Sequence, residues 1–221
     1  MGYTSIVHHA DCIDIMAQYP DKYFDLAVVD PPYGIGESKK QRKNMPSGVW
    51  KSPKNNIQYQ KKNWDNEIPT NEYWQQLFRV SKNQIVWGGN YMTEYLKPSM
   101  GWIFWDKKNG ETDFSDGELA WTSFDKGLRK FEWLWNGFQK QKPESRIHPT
   151  QKPVKLYDWI YKNYLPEGGK VIDTHLGSGS NRIAADKAGN INFVGCELDK
   201  EYFDAQEKRW NNYKAQLTIQ F

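Results

Sequence analysis

Hydrophobic positions along the chain fall into short strand-like runs separated by helical stripes. Residues 24–29 form a compact, β-rich apolar run that ends at Asp30, where Pro31-Pro32 cannot continue a strand. Residues 71–81 carry apolar side chains at helical spacing and predict a helix. Further runs predict strands at residues 84–87, 102–105, 118–123 and 131–135, and residues 5–8 fit a short first strand.

The C-terminal third alternates regularly between the two patterns. Residues 154–164 predict a helix that begins after Pro153, and residues 171–173, 180–188, 192–197 and 201–216 predict strand, helix, strand and helix in turn. This alternation is typical of an α/β fold with a doubly wound, mostly parallel sheet flanked by helices. A length of 221 residues suits one domain with an insertion, so residues 1–221 are predicted as a single domain.

Positive charge is concentrated in two segments. Residues 36–63 have no periodicity and predict a long loop insertion, with eight Lys or Arg against one acidic residue. Residues 126–155 carry eight Lys or Arg against two acidic residues, although the net charge of the chain is only +3. A basic patch on an otherwise acidic body suits a protein that binds a polyanion, and two solvated loops are the alternative. Aromatic residues, at 15%, offer stacking platforms for bases.

Composition excludes several classes of protein. No apolar run approaches the ~20 residues that span a bilayer, and the N-terminus lacks a basic start followed by an apolar core. The two cysteines, Cys12 and Cys196, form no CxxC pair, which argues against a disulfide framework and a zinc site. The expectation is a cytoplasmic protein with no membrane partner and no metal.

A glycine-containing turn joins the strand ending at Asp173 to the next helix. Gly177 and Gly179 let the backbone approach a ligand closely, and Glu197, at the end of the following strand, is placed to bind ribose hydroxyls. Arg182 stands where a dinucleotide-binding motif has its third glycine. The turn therefore suits a ligand with ribose and no phosphate, such as S-adenosylmethionine. An ordinary turn with an exposed glutamate is the alternative.

The second motif is Asp30-Pro31-Pro32-Tyr33, directly after a predicted buried strand. The prolines fix φ, so the loop presents a carboxylate, a peptide carbonyl and an aromatic ring in a rigid relation. Two acceptors and a stacking ring suit the exocyclic amine of a base. A Pro-Pro turn capped by aspartate is the structural alternative.

These two motifs and the segment 148–153, HPTQKP, follow one another in an order that resembles the beta group of S-adenosylmethionine-dependent DNA amino-methyltransferases. The resemblance implies a Rossmann-like methyltransferase sheet with a circularly permuted motif order. It also implies S-adenosylmethionine as cofactor, double-stranded DNA as partner, and a place in restriction-modification. The DPPY version is used mostly for N6 of adenine, so the implied reaction is methyl transfer to that nitrogen in a flipped-out base.

The resemblance also assigns roles to residues. Asp30 and the Pro31 carbonyl would accept hydrogen bonds from the amine and Tyr33 would stack on the base, which makes the catalytic set Asp30, Pro31, Pro32 and Tyr33. The cofactor-binding set is Asp11, Cys12, Thr150, Lys152, Asp173, His175, Gly177, Ser178, Gly179 and Glu197. DNA contacts are expected from Lys39, Lys40, Arg42, Lys43 and Trp50, and residues 107–147 are the candidate target-recognition region.

Within the cofactor set, the roles differ. Asp11 and Cys12 would contact the adenine, Glu197 the ribose, and Thr150 and Lys152 the cofactor carboxylate. The chain departs from the family at Thr174-His175, where Pro-Phe is usual, so His175 is expected to replace a packing contact or to bind the cofactor.

Other functions remain open on the sequence alone. Cytosine N4 in DNA, adenine in RNA and a glutamine amide all present a planar amino group to the same loop. A non-catalytic nucleic-acid-binding module and a nucleotide-dependent oxidoreductase are alternatives of a different class. The recognition sequence, a partner nuclease and self-association into a homodimer are not determined by the sequence.

Overall fold

The computed structural model describes residues 2–35, 67–110, 115–135 and 147–218. The strands in these ranges are β1 Ser5–His9, β2 Phe24–Val29, β3 Ser81–Trp87, β4 Trp102–Asp106, β5 Gly117–Thr122, β6 Arg129–Glu132, β7 Gly169–Asp173 and β8 Ile191–Glu197. The helices are α1 Cys12–Met16, α2 Asn71–Val80, α3 Val154–Tyr164, α4 Ser180–Ala188 and α5 Lys200–Thr218, with a 3₁₀ turn at Gly89–Tyr91.

All eight of these strands belong to one sheet, in the order β1-β8-β7-β2-β3-β5-β4-β6. The first five are mutually parallel, while β5 runs antiparallel to β3 and to β4. At the far edge, β6 pairs with β4 in parallel. The predicted α/β fold with a mostly parallel sheet is confirmed.

The direction of chain winding reverses between β7 and β2. The crossover from β2 through α2 leads to β3 on one side, and the crossover from β7 through α4 leads to β8 on the other. In open α/β sheets, a crevice for ligands opens beyond the carboxyl ends of the strands at such a reversal. The motifs that follow β2 and β7 therefore lie where a ligand site is expected.

Helices cover both faces of the parallel strands. Along β2, Leu26 and Val28 belong to the apolar core that includes α3, whereas Ala27 and Val29 belong to the core that includes α2. Burial on both faces explains why residues 24–29 read as a nearly continuous apolar run. It also fixes the position of the loop that follows.

Two local predictions need correction. The strand predicted at 131–135 is instead Arg129–Glu132, because the chain pairs with β4 earlier and leaves the ladder before Trp133. Helix α1 was not predicted, since five residues are too few to show a helical period; it begins where the Asp11 side chain accepts a hydrogen bond from the Ile13 amide.

The candidate recognition region contributes tryptophans to the core. Trp121 and Trp135 are buried, and their indole N–H groups donate to the carbonyls of Lys97 and Gln151. These two side chains are thus structural in this conformation. No helix within the described ranges is both long and apolar enough to cross a membrane.

Candidate active site at the carboxyl edge of the sheet

Four neighbouring parallel strands end close to an acidic residue at the same edge of the sheet. Asp11 follows β1, Glu197 ends β8, Asp173 ends β7 and Asp30 follows β2. Because the strands are adjacent and parallel, the loops that follow them line one continuous edge. The two motifs that sequence analysis connects to base and cofactor therefore lie side by side.

Asn181 joins the two central strands at this edge. Its side-chain amide donates to the Val28 carbonyl at 3.3 Å and to Asp173 Oδ2 at 2.9 Å. Its own carbonyl accepts a hydrogen bond from the buried Tyr161 hydroxyl. Asn181 was not predicted as a site residue. Its position in the first turn of the helix that follows the glycine turn would have been a reason to include it.

The DPPY loop is held by contacts from three directions. Tyr33 Oη donates to Asp30 Oδ1 at 2.6 Å, and Lys152 Nζ donates to Asp30 Oδ2 at 2.5 Å. The Tyr33 ring stacks on Tyr91, with 5.2 Å between ring centroids and 17° between planes. It also lies against Gly88, where a β-carbon would come within 2.2 Å of the ring. Pro31 is buried and Pro32 is partly exposed.

Lys152 is buried, with 4% of its surface exposed. Its Nζ lies 2.5 Å from Asp30 Oδ2 and 3.1 Å from Glu118 Oε2, and 5.3 Å from the centre of the Trp87 ring. Burial would lower the pKa of Lys152, but the two carboxylates raise it above its ordinary value. The lysine thus contacts the DPPY motif.

Glu118, on β5, completes this cluster and was not singled out by its sequence context. Its Oε1 accepts a hydrogen bond of 2.5 Å from Lys107 Nζ. Burial would raise the pKa of Glu118, but the charges of Lys152 and Lys107 lower it to about 2. A glutamate in an alternating strand usually faces solvent, so nothing local marked this one.

The glycine turn is built from backbone that favours glycine. Gly177 has φ +53° and Gly179, which caps α4, has φ +71°. The Gly177 amide donates to Glu197 Oε2 at 2.8 Å, and Glu197 Oε1 accepts from the Asp199 amide at 2.9 Å. Glu197 thus joins the end of β8 to the turn, and its contact with a ribose stays a prediction.

Asp173 is a buried carboxylate held by amide donors. The His175 amide donates to Oδ1 at 3.1 Å and Asn181 donates to Oδ2. Burial raises the pKa of Asp173 to about 7; the two hydrogen bonds oppose this shift, while Asp30 and Glu197 add to it. A carboxylate in this setting would gain from a cationic ligand.

His175 packs as a neutral aromatic ring. Its ring meets Tyr73 edge-on at 5.4 Å, and its Nδ1 lies 2.9 Å from Thr174 Oγ1. Burial lowers the pKa of His175 to about 4. Of the two expected roles, this geometry favours replacement of a packing contact. Tyr73, whose hydroxyl lies 2.8 Å from Thr174 Oγ1, was missed by sequence analysis.

Asp11 and Cys12 lie at the start of α1, at the same edge. Asp11 acts as the helix cap, which is compatible with a further contact to a ligand. Burial, and then the charge of Asp11, raise the pKa of Cys12 to about 12, and burial also raises the pKa of Cys196. Both cysteines are free and neither has the character of a nucleophile.

The HPTQKP segment borders the glycine turn. A β-carbon on Gly177 would lie 3.6 Å from the His148 ring, and Thr150 Oγ1 lies 3.1 Å from His148 Nδ1. Ser178 Oγ lies 3.1 Å from Ser180 Oγ at the start of α4. The three predicted motifs therefore meet at one edge of the sheet.

The predicted DNA-contact residues cannot be placed. Lys39, Lys40, Arg42, Lys43 and Trp50 lie outside the described residues, as does most of the candidate recognition region beyond Trp135. Within the described part of the chain, no group of three His, Cys, Asp or Glu side chains is arranged to hold a metal ion.

A family model described as DNA methylase, for N6 and N4 methyltransferases, matches residues 81–208, more than half of the chain. Among curated proteins, the type II methyltransferase M2.LlaDCHI of Lactococcus lactis subsp. cremoris is 24% identical over 248 residues. That alignment covers 94% of this chain and 90% of the relative.

Solved structures of the same kind share the fold. The M1.HpyAVI-SAM complex aligns with a TM-score of 0.55 at 20% identity, covering 93% of this chain and 100% of that one. The cytosine-N4-specific PvuII DNA methyltransferase aligns with a TM-score of 0.56 at 12% identity, covering 93% and 86%. These likenesses confirm the predicted Rossmann-like methyltransferase fold.

Proposed function

The chain belongs to the DNA methylase family of N6 and N4 methyltransferases, and from this premise we propose that it transfers a methyl group from S-adenosylmethionine to N6 of adenine in double-stranded DNA. The observation that carries the proposal is the junction of the DPPY loop and the glycine turn at the reversal point between β2 and β7. Donor and acceptor of the methyl group can meet only if these two loops share a crevice.

The charges at this edge suit the proposed cofactor. S-adenosylmethionine carries a sulfonium and an ammonium group, and its bound methyl sulfonium supplies the electrophile of the reaction. Asp173 is the carboxylate that would face these cations, while Glu197 would bind the ribose and Asp11 would contact the adenine. The buried Asp173, whose pKa lies near 7 because of burial, supports this assignment, since a cation would stabilise its ionised form.

Asp30 and the Pro31 carbonyl would bind the target amine. The lone pair of an aromatic amine is delocalised into the ring, so hydrogen bonds from its two N–H groups to these acceptors favour a more pyramidal nitrogen. The remaining contribution is alignment of the nitrogen with the methyl group and electrostatic support of the positive charge that develops on it. The proton leaves to solvent, and no covalent enzyme intermediate is needed.

Tyr33 would stack on the base once it has left the duplex. Extrusion costs a few kcal/mol, and stacking on an aromatic side chain returns ~1–3 kcal/mol. The Tyr33 ring is already oriented by its hydrogen bond to Asp30 and its contact with Gly88. Because the Tyr33 ring stacks on Tyr91, a base that binds to this face must take the place of Tyr91.

Cytosine N4 is the second candidate target, because the matching family includes N4 enzymes and the N4-specific PvuII enzyme shares the fold. The test is incubation with radiolabelled S-adenosylmethionine and duplex DNA or RNA, followed by digestion to nucleosides and chromatography. Label in N6-methyladenine from DNA supports the proposal, and label in N4-methylcytosine selects the alternative. Absence of label from every nucleic acid refutes both.

Asp30→Ala is the matching variant. It should abolish methyl transfer and leave S-adenosylmethionine binding, measured by calorimetry, largely intact, because Asp30 is assigned to the amine and not to the cofactor. Loss of cofactor binding in this variant would reassign Asp30 to the cofactor pocket.

A further inference from the structure

A series of alternating charges runs from the DPPY loop to β5 in the antiparallel part of the sheet, which comprises β5, β4 and β6. Asp30, Lys152, Glu118 and Lys107 follow one another with nitrogen–oxygen distances of 2.5, 3.1 and 2.5 Å. They come from the loop after β2, the HPTQKP segment, β5 and the end of β4. Lys152 contacts both carboxylates, and only the tertiary fold brings the four residues together.

Burial of Lys152 needs an explanation. Its side chain is 3% exposed, and removing an ammonium group from water is costly unless its partners compensate. The carboxylates of Asp30 and Glu118 supply that compensation. A buried ion pair is weak evidence for a contribution to stability alone, so the ammonium group points to a function at this site.

The hydrogen bonds that Asp30 accepts indicate why an ammonium group lies at this site. Oδ1 accepts from Tyr33 and Oδ2 from Lys152, so each carboxylate oxygen has one fixed donor. A carboxylate has about four lone-pair sites, which leaves acceptor capacity for an incoming amine. The two donors fix the plane of the carboxylate and therefore the direction of the remaining lone pairs.

Glu118 compensates for the positive charge that Lys152 brings to the site. A lone ammonium group beside the reacting nitrogen would oppose the positive charge that develops there, and this repulsion is strong where water is excluded. Glu118 Oε2 lies 3.1 Å from Lys152 Nζ, and Glu118 is itself paired with Lys107. It balances the charge of Lys152 without contacting Asp30 in this structure.

We propose that Lys152 and Glu118 are positioning residues for the methyl-transfer reaction: Lys152 orients the Asp30 carboxylate toward the amine, and Glu118 balances the charge of Lys152. This inference rests on the proposed function. It departs from the resemblance, which places Lys152 near the carboxylate of the cofactor.

The two roles of Lys152 predict different outcomes for Lys152→Met. If Lys152 binds the cofactor, the variant should bind S-adenosylmethionine more weakly, and saturating cofactor should restore the rate. If Lys152 orients Asp30, the dissociation constant of the cofactor should be unchanged and the single-turnover rate at saturating cofactor and DNA should fall roughly 100-fold, as for a misplaced reacting group.

Cofactor affinity and rate measured on the same variant supply a readout that separates orientation from a purely structural role. A general loss of structure would weaken S-adenosylmethionine binding together with the rate, whereas misorientation of Asp30 lowers the rate alone. Parallel losses of affinity and rate in Lys152→Met would contradict the orientation of Asp30.

Glu118→Gln is the second variant, since it preserves side-chain shape and leaves the Asp30–Lys152 contact in place. It should lower the single-turnover rate at unchanged cofactor affinity, by less than Lys152→Met. Lys82→Met is the matched control, because Lys82 pairs with Asp25 at 2.7 Å at the opposite end of β2. Its single-turnover rate and its cofactor affinity should equal those of the wild type.

Thermal denaturation accompanies each assay. If Lys152→Met does not fold, Glu118→Gln decides: full single-turnover activity of that variant overturns the inference. Full single-turnover activity in a folded Lys152→Met variant also overturns it. Failure of the wild type to methylate any nucleic acid refutes the proposed function instead, so the two failures are distinguishable.

Discussion

The parallel and antiparallel parts of the sheet differ in burial and in what they contribute to the site. In β2 and β8 nearly every residue is buried, while β4 alternates between buried and more exposed positions and β6 buries only Phe131. The parallel strands, covered by helices on both faces, end in the loops that carry the acidic edge. The outer strands β4 and β6, which pair with each other in parallel, carry surface ion pairs, such as Lys130 with Asp106 at 2.8 Å.

The two parts nevertheless meet at one point. Glu118 on β5 reaches the Asp30–Lys152 pair, so the antiparallel part contributes a charge to a site built mainly by parallel strands. Strand direction thus determines where the loops gather. A single side chain from the antiparallel part, Glu118, adds the charge that balances Lys152. Variants in the two parts should therefore differ sharply in effect.

The largest effect is expected for Gly88→Ala, at the end of β3. Gly88 has φ +66°, and a β-carbon would come within 2.2 Å of the Tyr33 ring, so the ring must move. Displacement of a positioned group by about 1 Å costs roughly 100-fold in rate, and we expect a loss of this size in single-turnover methyl transfer.

Gly189→Ala is the control for Gly88→Ala. Gly189 has a similar φ of +73°, but nothing lies within 4 Å of its β-carbon position. Its substitution should cost about 1–2 kcal/mol of stability through the left-handed backbone alone and leave the rate unchanged. Equal loss of activity in both variants would show that backbone strain, and not the Tyr33 contact, is responsible.

A smaller effect is expected from pH acting on Asp173. Because a bound cation favours the ionised carboxylate, S-adenosylmethionine affinity should rise with pH through about 7, by at most about tenfold per pH unit, with proton release on binding. Calorimetry in buffers of different ionisation enthalpy measures both. Asp173→Asn should bind more weakly and without this pH dependence; an unchanged dependence would mean that another group titrates.

The same raised pKa has a consequence for the unliganded protein. The contribution of the protonated Asp173 carboxyl group to the stability of the folded protein is fully present below the unfolded-state pKa near 4. This contribution is lost as pH rises through about 7. Urea unfolding measures the free energy of unfolding at each pH. Between pH 5 and pH 8 this free energy should therefore decrease more for the wild type than for Asp173→Asn.

The smallest effect is expected for Lys130→Met, at the outer edge of the antiparallel part. Lys130 pairs with Asp106 and Glu132 on the surface, and exposed ion pairs contribute little to stability. Methyl transfer and the thermal midpoint should both stay close to the wild-type values. A large loss of DNA methylation with unchanged stability would instead assign this edge to the DNA interface.

Local sequence predicted much of the parallel part. Helices α3 and α4 have the predicted bounds, and β2 was recognised from its apolar run because both of its faces are buried. The apolar runs of β2 and β7 also predicted that Asp30 and Asp173 lie at strand ends. By contrast, β6 was misplaced, since an edge strand of four residues with one buried side chain has little pattern to detect.

By itself, the sequence determined the order of elements and the chemistry of the loops that follow them, because periodicity, glycine turns and proline stiffness act over a few neighbouring residues. Only the tertiary structure decided that β7 lies beside β2 and that the ammonium group of Lys152 contacts Asp30, 122 positions away. A contact across that separation depends on how strands are ordered in the sheet, and no local pattern of side chains encodes the resulting distance.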